Sequence, residues 1–229
     1  MAGNAYTAAA VPGGRSTRVP GARGAAAPML AAAACALALV AVWLIATRIP
    51  AARARDALVL SDFIGLNTPS IEAVGNFLLN LLEPRLFIIW AAVIVCVALA
   101  RSRPWLAAAV AAVMALAPLT AETLKPILAH PHISAGEVQI NPASWPSGHS
   151  TAALALVLCA IMVTPARWRP VIAGAGVVYV AAVAFSLLVL AWHMPSDVLG
   201  GFLVAALWAC LAVAALRVGA RRRRDPAAA

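Results

Sequence analysis

Three short polar islands carry the residues of this chain that could hold an anion or move a proton. The first is Ser144-Trp145-Pro146-Ser147-Gly148-His149-Ser150-Thr151, which interrupts an otherwise apolar sequence. A small Ser-Gly turn ends in a histidine, and an apolar helical run begins directly after it. This places backbone N–H groups, the Ser147 hydroxyl and the His149 imidazole at a predicted helix N-terminus. The first N–H groups of a helix have no intrahelical partner and its dipole favours negative charge there, so the turn suits an anion. Gly148 lets the backbone approach that anion, and His149 supplies an acid/base group.

The second island is His193-Met194-Pro195-Ser196-Asp197. If Pro195 opens a helix, His193 and Asp197 meet across its first turn. A carboxylate on one ring nitrogen fixes the imidazole tautomer and makes the other nitrogen a better nucleophile. A dipole-complementing Asp alone would explain Asp197 but not His193. The third island runs from Lys125 to His132. Lys125 is the chain's only lysine, and His130 and His132 complete a set of four histidines that all fall in these islands. Lys125 needs an anion nearby; Glu122, three residues earlier, is the local alternative to a bound one.

The elements that must position these islands are membrane helices. The composition is 64% hydrophobic and 11% charged, with mean hydropathy +0.92. Soluble domains carry about 25% charged residues. The net charge of +9 comes from arginines that flank apolar runs, so it reads as topology and not as a nucleic-acid surface. The cysteines Cys35, Cys96, Cys159 and Cys210 fall in four separate runs without metal-ligand spacing, and read as small buried hydrophobes.

Residues 1–27, rich in Ala, Gly and Pro, are expected to be a disordered cytoplasmic tail. Six spans are expected over 28–47, 84–100, 105–128, 150–163, 171–191 and 198–216, and 217–229 is expected to be a basic cytoplasmic tail. A cleaved signal peptide competes for 28–47, but its apolar region would be shorter, about 7–15 residues. In 48–83, Ile71, Val74, Phe77, Leu78 and Leu81 recur at helical spacing, which predicts a helix lying in the membrane interface. The expected fold is thus all-α, a polytopic bundle of six transmembrane helices. Arginines at 101–103, 167–169 and 217–224 share one side, which the positive-inside rule makes cytoplasmic. Both termini are then cytoplasmic and the three islands face the outer membrane–water interface. Arg48, Arg53, Arg55 and Arg85 lie on the opposite side and run against that rule.

In order and spacing the islands resemble the three-part signature of the type 2 phosphatidic acid phosphatases, the membrane branch of a superfamily shared with the vanadium haloperoxidases. Pro146-Ser147-Gly148-His149 matches the second element in full. Ser186, His193 and Asp197 match the third, and Lys125 opens the first. The family's arginine and proline of the first element fall on His132 and Ile133, and its arginine of the third falls on Leu187. The resemblance implies a metal-free, cofactor-free hydrolase of the cell membrane that acts on a lipid phosphate. Lys125, Ser147, the Gly148 amide and a protonated His132 would hold the phosphate. His193, oriented by Asp197, would attack phosphorus to form a phosphohistidine, and His149 would protonate the leaving oxygen. Candidate substrates are phosphatidate-type lipids and polyprenyl mono- or diphosphates. A weakly active or inactive headgroup-binding relative and a lipid phosphotransferase are the alternatives. The implied partners are the bilayer and the lipid substrate, with no nucleic acid.

Overall fold

The computed structural model describes residues 23–132 and 139–222. Within them the chain forms α1 (Arg23–Arg48), α2 (Pro50–Ile64), α3 (Pro69–Asn80), α4 (Pro84–Ala100), α5 (Pro104–Ile127), α6 (Gly148–Val163), α7 (Arg169–Val189) and α8 (Pro195–Arg222). A short 3-10 turn, Ala166–Trp168, leads into α7. Proline marks most of the helix starts: α2 to α5 and α7 carry one in their first two positions. The missing N–H of proline would have no helical partner there, and its fixed φ suits the helix.

Two expected boundaries move. α1 starts at Arg23, so Ala25 to Ala27 join the helix for which alanine has the highest propensity. Residues 1–22 lie outside the described residues. α8 continues through Arg217 to Arg222, so part of the expected tail is helical; residues 223–229 lie outside the described set. Pro28, inside α1, cannot donate to the carbonyl of Gly24 four residues earlier. That carbonyl instead accepts Arg217 Nη1 at 2.5 Å, which ties the start of α1 to the end of α8.

The interior lies where α5, α6 and α8 meet, and small residues let them approach closely. Ala117, Ala121, Ala153, Ala155, Val204 and Ala205 are all buried. A Cβ on Gly201 would overlap Ser150 Oγ and the Ser147 carbonyl, and one on Gly200 would stand 2.9 Å from the Trp145 ring. Glycine at both positions therefore lets α8 press against the start of α6. Cys159 is buried, but Cys96 is exposed on α4, contrary to the reading of all four cysteines as buried.

Among the described residues, four helices are long and apolar enough to cross a membrane: Gly24–Arg48, Pro104–Ile127, Ala166–Val189 and Pro195–Ala220. The pair α3 and α4, bent by 55°, can form a fifth span. At 16 residues, α6 is shorter, about 24 Å of helix. The outward faces are apolar: Leu30, Leu37, Ile88, Val177 and Val178 are exposed. Such a surface needs hydrocarbon around it, and the chain is a multi-pass membrane protein.

The segment between the first two expected spans holds two helices where the pattern predicted one. In α3 the buried residues are Gly75 and Leu79, while Val74 and Phe77 of the predicted stripe are exposed. Apolar periodicity marks the core-facing side only when the other side meets water. Here both sides can be apolar, and the small Gly75 decides the contact, packing on Ser186 of α7 and on Leu190 just after it.

Arginines gather at one end of the bundle. Arg101 Nη1 donates to the Val163 carbonyl at 2.7 Å and Arg169 Nε to that of Thr164 at 3.2 Å. The three polar islands lie at the other end.

Candidate active site

Two helix starts meet at the site. Ser147 is the N-cap of α6, and its side chain accepts the N–H of Ser150 at 3.4 Å. Its own N–H donates to the Asp197 carbonyl at 2.9 Å. The hydroxyls of Ser150 and Thr151 reach the carbonyls of Val198 and Gly201 at 3.2 and 3.1 Å. The first turns of α6 and α8 are thus stitched together by side chains the sequence had already placed at a helix mouth.

At the start of α8, Asp197 is fully buried. Its Oδ2 accepts the backbone N–H of Met194 at 3.0 Å and lies 3.3 Å from His193 Nδ1. A carboxylate oxygen only accepts, so Nδ1 carries the proton and Nε2 keeps its lone pair. Asp197 therefore does two jobs: it reaches back to cap α8 and it sets the tautomer of His193. The spacing of four residues predicted this contact, and the structure forms it.

Lys125 comes from the last turns of α5 and pairs with Glu122 at 2.6 Å, the local partner the sequence offered. Glu122 Oε1 stands 2.6 Å, and Lys125 Nζ 3.6 Å, from where a Cβ on Gly148 would be. Glycine at 148 is what admits this pair to the mouth of α6. His149 packs its ring edge-on against Trp192, with centroids 5.5 Å apart. Its electrostatic neighbours are His193, Lys125 and Glu122. The predicted residues Lys125, Gly148, His149, His193 and Asp197 are therefore brought to one place. A cavity of about 290 Å³ runs from Glu122, Lys125 and His149 down between α4, α5 and α6, over Phe87, Met114 and Pro118.

His132, expected among the phosphate ligands, contacts Ser144 in this structure. Its Nε2 is 3.0 Å from Ser144 Oγ, and its ring lies 4.6 Å from that of His130. Ser144 also neighbours the Asp197 carboxylate, although Oδ1 of Asp197 has no full hydrogen bond to a described residue. Burial pushes the pKa of His132 down; Asp197 opposes this, while His130 and Arg53 add to it. Leu187, at the family's second arginine position, is fully buried and cannot reach an anion. Ser186 bonds the Ala182 carbonyl of its own helix at 2.8 Å. Ile133 lies outside the described residues.

The sequence reading missed α2. Its Asp56 accepts the Ser196 N–H at 3.1 Å and the Ser196 hydroxyl at 2.5 Å, so it caps α8 one residue from Asp197. Burial raises the pKa of Asp56, against the lowering pull of the two Ser196 bonds. Arg53, one turn earlier, donates to the Pro131 carbonyl at 2.9 Å and so holds the loop that carries His132. Asp56 and Ser196 are 140 residues apart. The one hint in the sequence was a polar, arginine-bearing stretch on the side that carries the islands.

These features define an all-α membrane protein with a buried His–Asp pair and an anion-suited helix mouth at one end of the bundle. The PAP2 superfamily model matches residues 104–219, and the chain belongs to that family. The fold is also that of a solved transmembrane PAP2-type phosphatidylglycerolphosphate phosphatase from Bacillus subtilis. The two share 19% identity and a TM-score of 0.68, over 85% of this chain and 98% of that one. No curated protein matches the chain. Family membership rests on the PAP2 match, and the likeness to the Bacillus protein shows that the two chains share a fold.

Proposed function

We propose that the protein hydrolyses a lipid phosphate monoester or diphosphate through a phosphohistidine on His193. The observation that carries this reading is the His193–Asp197 contact at 3.3 Å, which occupies Nδ1 and leaves Nε2 for phosphorus, with His149 an electrostatic neighbour of His193. The lipid chain lies in the groove over Phe87 and Met114, and its phosphate reaches Lys125 and the Gly148 amide at the mouth of α6. The Nε2 lone pair attacks phosphorus in line. The P–O bond to the lipid breaks with its electron pair on oxygen, and His149 protonates that oxygen. Water then attacks the phosphohistidine, gives its proton to His149, and restores His193. Lys125 and the helix-end N–H groups stabilise the charge that builds on the phosphoryl oxygens. Ser147 acts chiefly through the cap that shapes this turn.

The same reading takes α1, α4, α5, α6, α7 and α8 as six spans, with α2 and α3 at the outer surface and the arginine end in the cytoplasm. In a cysteine-free background, a cysteine at Ala166 that labels from outside would reverse this orientation. Candidate substrates are phosphatidate-type lipids, the phosphatidylglycerolphosphate named for the Bacillus protein, and polyprenyl phosphates. Purified protein given each with a labelled phosphate tests the reading. Released inorganic phosphate supports it, and a labelled acceptor lipid marks a phosphotransferase instead. No reaction with any of them favours a headgroup-binding relative, a second reading supported by buried Leu187 and by Ser144-bound His132 where the family has arginines.

A further inference from the structure

A second anion-suited place lies at the arginine end of the bundle, far from the islands. Arg103 precedes α5, Arg169 opens α7 and Arg217 lies near the end of α8. All three line one cleft of about 460 Å³, whose walls also include Leu106, Met162 and Leu216. None of these arginines pairs with a carboxylate of the described residues, whose ion pairs are Lys125–Glu122 and His193–Asp197. Two of them are fixed through one nitrogen: Arg169 Nε holds the Thr164 carbonyl and Arg217 Nη1 that of Gly24. A guanidinium has five N–H donors, so most of their donor capacity remains available.

Three like charges around one concavity repel each other and call for a counter-anion. Guanidinium forks match the oxygens of a phosphate, and the apolar wall suits the start of an acyl chain. Water-filled grooves for soluble anions have no use for such a wall at a membrane surface, whereas basic pockets between membrane helices suit acidic lipid headgroups.

We propose that this cleft is a binding site for the headgroup of an anionic glycerophospholipid, separate from the candidate active site. Such a lipid bridges α5, α7 and α8 and stabilises the fold. The inference does not depend on the protein being a phosphatase.

Thermal unfolding, followed by tryptophan fluorescence of the full chain in mild detergent, tests it. Micelles are doped with phosphatidylglycerol, with phosphatidylcholine, or with neither plus inorganic phosphate. At about ten times its dissociation constant, phosphatidylglycerol should raise Tm by about 3–6 °C over phosphatidylcholine. The triple variant Arg103→Gln/Arg169→Gln/Arg217→Gln should lose this shift, and each single variant should lose part of it. Arg48→Gln/Arg55→Gln/Arg85→Gln, which removes as much charge from elsewhere, should keep it. Equal loss in that control would mean general charge attraction and overturn the site. So would a shift that survives the triple variant, or one that inorganic phosphate reproduces in full.

Discussion

Ser147 donates its backbone N–H to the carbonyl of Asp197 at 2.9 Å. One hydrogen bond thus joins the residue that caps α6 to the residue that orients His193. The anion-suited turn and the proposed nucleophile, His193, are held in register by the backbone and do not depend on flexible side chains. Positioning of this kind is what an in-line displacement requires.

Asp197→Asn preserves the shape of this junction and removes the charge that faces His193. We expect kcat to fall by about 10²–10⁴, the scale of losing an acid/base partner, with KM little changed. Steady-state kinetics on one lipid phosphate check this. A variant with parental kcat would mean that Asp197 serves only as the cap of α8.

Asp56→Ala removes the two bonds to Ser196. Loss of a helix cap costs about 0.5–2 kcal/mol, which for a chain of this size lowers Tm by about 1–8 °C. We expect kcat to fall with it, because Ser196 is the neighbour of Asp197. Asp56→Asn keeps one acceptor and should recover part of both. A drop in Tm with kcat intact would confine Asp56 to stability.

Burial disfavours the charged form of His132; Asp197 opposes this, and His130 and Arg53 add to it. Its folded pKa lies below the ordinary value of about 6.5, so the unfolded chain binds the proton more readily. The stability it contributes is therefore present above about pH 6.5 and is lost as pH falls through the folded pKa. A neutral His132 cannot replace an arginine at phosphate. We expect His132→Arg to lower activity by a similar factor at every point from about pH 5 to 8, since it breaks the Ser144 contact and sets a second guanidinium beside Arg53. A selective gain above about pH 7 would restore His132 to the phosphate.

Glu122 places its carboxylate between Lys125 and Gly148, the place at which the proposed mechanism holds a phosphate oxygen. Glu122→Gln frees Lys125 and removes a like charge. Inorganic phosphate should then inhibit at concentrations about tenfold lower, the low end of a charge-assisted hydrogen bond. Inhibition unchanged by the substitution would show that Glu122 swings away before the anion binds.

How much of this was open to the sequence depended on the distance between partners. His193 and Asp197 lie on one helical turn, so their contact could be read from spacing, and Pro146 to His149 announced their own turn. The arginine clusters at 101, 169 and 217 correctly foretold one shared end. The Asp56 cap could not be read, because its partner Ser196 is 140 residues away and neither has a periodic signature. The apolar stripe of α3 could be read, but not the residues that pack on the neighbouring helix, because lipid, unlike water, tolerates apolar residues on the outer side, as Phe77 shows. His132 was placed by its count from Lys125, and counting cannot reveal that its Nε2 is taken by Ser144.

The central claim is that phosphate passes through His193. Purified protein mixed for milliseconds with a lipid bearing a labelled phosphate, then quenched in alkali, tests it directly, because phosphohistidine survives base and is lost in acid. The account predicts label on the parent protein that maps to His193, more of it when His149→Ala slows hydrolysis, and none on His193→Ala. Label that persists on His193→Ala, or turnover by that variant at the parental rate, would contradict it.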